Sequence, residues 1–81
     1  MRVSIHTLSE TLFSGQAEKL ICRTAMGEIT ILDGHAPLIA SLIGPEIRIG
    51  TGPDAVRPIP LLSGFVEVRP ESEVTILADR S

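Results

Sequence analysis

Tryptophan and tyrosine are absent from the 81 residues, and Phe13 and Phe65 are the only aromatics. Stacking on single-stranded nucleic acid needs aromatic platforms, and duplex binding leaves a clustered basic footprint. Here the seven basic residues, Arg2, Lys19, Arg23, Arg48, Arg57, Arg69 and Arg80, are scattered among ten acidic ones, for a net charge of −3. Nucleic acid is therefore excluded as a partner. Cys22 stands alone, so no internal disulfide can form. No apolar run approaches the roughly 18 residues of a membrane-spanning helix. The start, Met1 to His6, has no apolar stretch of signal-peptide length. Membrane association is thus expected only through a partner.

What is plentiful is aliphatic: Val, Ile and Leu supply 24 residues, too many for a disordered chain. Their spacing is two. Val3 and Ile5, Ile29 and Ile31, Ile47 and Ile49, Val66 and Val68, and Val74 and Ile76 each alternate with neighbours that are mostly polar. Successive side chains on a strand point to opposite faces, so this period predicts half-buried β-strands. Turn signals fall between the runs at Ser14-Gly15, Met26-Gly27, Asp33-Gly34, Gly44-Pro45, 50–54, Ser63-Gly64 and 70–72. Strands are predicted at 2–8, 11–14, 17–24, 27–32, 38–42, 46–50, 56–62, 64–69 and 73–78. Nine to ten short strands indicate an all-β fold, a two-layer antiparallel β-sandwich or flattened barrel forming one domain over 1–81. Pro58 and Pro60 assign strand 56–62 to an edge, or to bonding on alternate residues only. Residues 50–55 are expected to form a mobile hairpin tip.

Chemistry-bearing sets are thin. His6, His35 and Cys22 lack the close spacing of a zinc site, and the carboxylates are spread singly, so no metal site is expected. His35 as base, Asp33 or Asp79 as orienter and Ser63 as nucleophile match a hydrolytic triad in residue type alone. Each has a simpler use in a turn. Gly50-Thr51-Gly52 is followed by Pro53 rather than the lysine of a phosphate loop. The more productive feature is the run Leu38-Ile39-Ala40-Ser41-Leu42-Ile43, which is almost continuously apolar. It reads either as a covered strand or as a docking patch, since sizeable exposed apolar patches mark interaction sites. Leu20-Ile21 and Leu61-Leu62 pose the same question more weakly.

The order of motifs carries a resemblance. Phe13-Ser14-Gly15 with Ala17-Glu18-Lys19, Gly27-Glu28-Ile29 with Ile31-Leu32, and Gly34-His35-Ala36-Pro37-Leu38 are followed by Ile47-Arg48-Ile49. Leu62-Ser63-Gly64-Phe65-Val66-Glu67-Val68 and Val74-Thr75-Ile76-Leu77-Ala78-Asp79 complete the set. Together they resemble the amino-terminal β-sandwich domain of the ε subunit of F-type rotary ATP synthases, over almost the whole chain. Departures are the order Gly44-Pro45 where the family commonly has Pro-Gly, the single Gly64 after Ser63, and Thr7-Leu8-Ser9 where relatives often have Thr-Pro-Glu. Typical relatives also continue past the Leu-Ala-Asp segment into two helices, whereas this sequence stops at Ser81, as either a naturally short form or a piece of a longer chain.

The resemblance implies a non-catalytic rotor subunit of the central stalk, one that docks the γ subunit onto the c-ring so that proton flow is coupled to ATP synthesis. It implies a γ contact at Thr7, His35, Ala36, Pro37, Leu38, Ala40 and Leu42, and a c-ring contact at Met26, Gly27 and Glu28. It also implies no cofactor, no small-molecule substrate, and a peripheral position on the cytoplasmic face of the bacterial inner membrane. The alternative is a free-standing ligand-binding or hydrolytic β-sandwich that uses His35 and Asp33.

Overall fold

The computed structural model describes residues 1–80 and contains nine strands. They are β1 (Arg2–His6), β2 (Thr11–Gln16), β3 (Lys19–Thr24), β4 (Gly27–Leu32), β5 (Leu38–Ile43), β6 (Glu46–Gly50), β7 (Val56–Pro60), β8 (Ser63–Arg69) and β9 (Glu73–Asp79). Two open sheets stack on each other. One has five strands in the order β2-β1-β9-β8-β5, the other four in the order β4-β3-β6-β7. All nine predicted strands are present, with ends displaced by a few residues.

Those displacements have local causes. β1 stops at His6 because the Thr7 hydroxyl accepts the N–H groups of Ser9 and Glu10, at 3.1 and 3.0 Å, and turns the chain. β3 begins two residues late because the Ala17 and Glu18 amides are committed to Met1 O and Gly50 O. β7 ends just short of Leu61, whose N–H makes a last ladder bond to Pro45 O, because Leu62 N–H turns to Asp79 O in the other sheet. Gly44–Pro45 is a cis peptide. The 51–55 loop closes on itself through Thr51 N–H to Ala55 O at 2.9 Å.

One pair departs from the antiparallel rule. β1 and β9 run parallel, with Val3 opposite Val74 and Ile5 opposite Ile76. Parallel neighbours need a long connection, and the intervening seven strands supply it.

The period-two pattern is now visible as a core. Val3, Ile5, Leu20, Cys22, Ile31, Leu42, Ile47, Ile49, Ile59, Val66, Val68, Val74, Ile76 and Ala78 point between the sheets and are buried. Among the described residues no polar or charged residue is buried with them. The prolines of β7 sit at an edge, as predicted. Leu61 N–H bonds Pro45 O, and hydrogen-bonded pairs alternate in an antiparallel ladder. Arg57 and Ile59 therefore face β6, while Pro58 and Pro60 place their donor-less nitrogens on the open side.

Candidate docking surfaces

Connectivity sorts the loops into two ends of a body about 30 Å long. At one end lie Met1, 17–18, 33–37, 51–55 and 70–72. At the other lie 7–10, the β3–β4 turn, Gly44-Pro45, Leu61-Leu62 and Arg80.

The 33–37 loop is held at the first end by three links. The Met1 ammonium pairs with Asp33 Oδ1 at 2.6 Å, Gly34 N–H donates to Ser72 Oγ at 3.1 Å, and His35 N–H donates to Leu32 O at 3.1 Å. Gly34 has a φ of 80°, where a side chain is strained. His35 Nδ1 lies 2.7 Å from Ala36 O, a bond in which the ring nitrogen donates. The candidate triad is not assembled. Asp33 is bound to the amino terminus rather than to His35. Ser63 and Asp79 are cross-strand neighbours near the opposite end.

In the strand that follows the loop, the expected contact residues divide between the core and its margin. Leu42 is 1% exposed and belongs to the core, and Leu38 and Ala40 are half-buried against it. Ile39, Ser41 and Ile43 occupy the outward face instead. A run with no polar punctuation gives no parity, so the sequence alone does not say which alternate residues of this strand face outward. The neighbouring strands did carry the signal. Phe65 shares the parity of Glu67 and Arg69, and Leu77 that of Glu73 and Asp79.

Register then gathers these side chains. Ser41 lies opposite Phe65, Phe65 opposite Leu77, and Leu77 opposite His6. Ile39 is 75% exposed, Phe65 58%, and Leu77 and Ile43 somewhat less. The centre of the five-stranded sheet thus presents an apolar outer face. At one end it runs up to Pro37 through a hollow shared with Ile39 and Glu67. At the other it deepens into a groove of about 490 Å³, floored by Phe65 and Leu77 and walled by Thr7 and Leu8. Thr7 and Pro37 are the two limits of one surface.

The four-stranded sheet is different. Its outer face carries Glu28 and Arg48, ion-paired at 2.9 Å across β3, where Arg23 lies opposite Glu28 and Ile21 opposite Arg48. Both partners remain substantially exposed, so the pair contributes on the order of 1 kcal/mol or less. Glu28 thus has one partner within the sheet and remains about half exposed. Beyond it, Ala25 and Met26 form a two-residue turn closed by Thr24 Oγ1, which accepts Met26 N–H at 3.1 Å and donates to Gly27 O at 3.0 Å. Gly27 adopts a φ of 120° there. The Met26 side chain stands 98% exposed at the tip.

Cys22 faces inward, and burial pushes its thiol up to about 12. Nucleophilic use needs the thiolate, so this sulfur serves as a small hydrophobe in the core.

A family model described as the ATP synthase delta/epsilon chain β-sandwich domain matches residues 1–81. The ATP synthase epsilon chain of Brevibacillus brevis is 40% identical over 79 residues, covering 98% of this chain and 59% of its own length. The epsilon chain of Acinetobacter baylyi is 37% identical over 79 residues, with 98% and 56% covered. This chain therefore spans less than two thirds of the curated relatives it matches. Among solved structures, the central stalk and c-ring of Tetrahymena thermophila mitochondrial ATP synthase contains a chain that superposes with a TM-score of 0.83 at 13% identity, over 98% of this chain and 63% of that one. A chain of the Euglena gracilis mitochondrial ATP synthase gives 0.85 at 19% identity, over 94% and 48%. At these identities the likeness is one of fold.

Proposed function

Because the chain belongs to the family of ATP synthase delta/epsilon-chain β-sandwich domains, we propose that it acts as a non-catalytic brace in the central stalk, joining γ to the c-ring. Proton-driven rotation of the ring then reaches the catalytic head as torque. The observation that carries this reading is the separation of two unlike surfaces on one close-packed body. A broad apolar face covers the five-stranded sheet, and a narrow protruding tip, Met26, stands beyond the other sheet. Close-packed interiors deform little, so load applied at the tip is transmitted to the face.

In this assignment γ covers the outer face between the 35–37 loop and Thr7, with Ile39, Phe65 and Leu77 in the middle. Leu42 acts from behind, as core support. The ring loops meet Met26, whose backbone aim is fixed by Gly27 and Thr24, while Glu28 holds β4 to β6 through Arg48. The domain breaks and forms no bonds. The complex, rather than the chain, brings it to the cytoplasmic face of a bacterial inner membrane.

Reconstitution with γ and the c-ring from one source tests this. Phe65→Asp is expected to weaken γ binding at least tenfold and to spare ring association, with Met26→Asp doing the reverse. Failure of the unaltered chain to bind either partner at low micromolar concentration refutes the assignment.

A further inference from the structure

The four sheet edges are not equally protected. β7 carries Pro58 and Pro60 on its open side, and β4 carries Glu28. β2 contains a register irregularity at Leu12, opposite Ile5/His6, and has Arg57 over the Phe13 ring, 5.9 Å from its centroid. Charge, proline and bulges are the usual means of blunting an edge. β5 has none of them. Its six residues, Leu38–Ile43, are uncharged and free of glycine and proline, and its one ladder partner is β8.

Backbone alternation fixes what this edge offers. Gly44 N–H donates to Leu62 O at 3.0 Å, extending the β5–β8 ladder. Counting back by twos, Leu42, Ala40 and Leu38 direct their N–H and C=O groups to β8. Ile39, Ser41 and Ile43 direct theirs to the open side. Pro37 and Pro45, next in the same parity, have no N–H to donate and so bound the edge at both ends.

This segment is self-complementary. From these edge groups we infer that β5 is a strand-addition site whose occupant is a second copy of this chain, paired antiparallel about Ser41. In that register Ser41 faces Ser41 of the second copy, and Ile39 faces its Ile43, twice by symmetry. The arrangement is isologous and closed, makes about six backbone hydrogen bonds, and keeps the proline positions outside the ladder. Branched residues directly opposite one another are favourable cross-strand pairs. A single added strand is a small interface, so association belongs in the range of about 0.1–1 mM.

Sedimentation equilibrium of the full chain up to about 1 mM, with amide spectra over the same dilution series, tests the inference. The expected result is a mass approaching twice the monomer, with the Ile39, Ser41 and Ile43 amides shifting on dilution. Ile39→Lys, an exposed charge on the edge strand, is expected to weaken association at least tenfold. Ser41→Pro removes an edge donor without removing a bond to β8 and is expected to do the same. Phe65→Asp, expected to weaken γ docking at least tenfold, is expected to leave self-association unchanged, which separates the two readings. A monomer throughout the range, a dimer indifferent to both edge variants, or dilution shifts confined to another strand overturns the inference.

Discussion

Ser72 Oγ accepts the amide proton of Gly34 at 3.1 Å, joining the turn between β8 and β9 to the loop that enters β5. The same residue's carbonyl accepts Arg2 N–H at 3.0 Å. One turn residue thus ties the 33–37 loop to the start of β1. It does so from a left-handed backbone, with φ of 56° at Ser72 and 69° at Glu71.

Ser72→Ala removes the side-chain link and leaves the carbonyl in place. The expected loss is about 1 kcal/mol, accompanied by faster hydrogen exchange at Gly34 and a several-fold weaker γ affinity. Exchange monitored by NMR on the free chain, beside γ titration, checks it. Unchanged exchange at Gly34 is the contrary result.

Leu42 and Phe65 separate packing from docking. Leu42→Ala empties a core site, with an expected cost of about 2–5 kcal/mol and near-normal γ affinity in whatever fraction remains folded. Phe65→Asp is expected to change stability by less than about 1 kcal/mol, being on the surface, and to weaken docking at least tenfold. Chemical denaturation and γ binding measured on both variants decide whether the outward parity of β8 is the functional one.

Gly64 and Gly50 form a second contrast. A Cβ on Gly64 would lie 2.5 Å from the Leu77 carbonyl oxygen of the adjacent strand, which cannot withdraw without moving β9. On Gly50 the obstacle is the Lys19 side chain, at 2.6 Å from its Cγ, which can swing to another rotamer. Gly64→Ala is expected to cost about 1–3 kcal/mol and Gly50→Ala less than half as much. Thermal melts of the pair suffice.

Alkali provides the last test. The Cys22 thiol ionises near 9.0 when unburied and is pushed up to about 12 in the fold. Above the lower value the unfolded chain releases its proton first, so stability present below pH 9 declines as pH rises toward 12. The slope attributable to this group approaches about 1.4 kcal/mol per pH unit. Cys22→Val is expected to remove that component from melts between pH 8 and 11. Parallel slopes in the two proteins contradict it.

The architecture was legible because its signal is periodic. Every strand with polar–apolar alternation, such as Glu28-Ile29-Thr30-Ile31 or Val66-Glu67-Val68, disclosed both its existence and its inward face. β5 disclosed its existence alone, because Ile39 and Ile43 are as apolar as Leu38 and Leu42, and only pairing with β8 resolves the parity. The prolines of β7 indicated an edge through their missing donors. The parallel insertion of β1 beside β9 left no trace, since sheet order depends on contacts between residues 71 positions apart. Glu28 is a partner-facing acid by resemblance, and no local pattern announced that Arg48, two strands on in sequence, is bonded to it at 2.9 Å. The motif order pointed to Thr7 and His35 separately, and only register revealed the apolar ground between them.

β9 occupies the middle of the larger sheet, flanked by β1 on one side and β8 on the other. The keystone is therefore the strand that emerges last from the ribosome among the nine. Until it arrives, β1 and β2 are a loose hairpin with an uncovered apolar side, and non-local closure of this kind is slow. A nascent chain halted before Glu73 is left with a breach through its centre rather than a trimmed border, and is expected to need shielding by a holdase until synthesis passes Asp79.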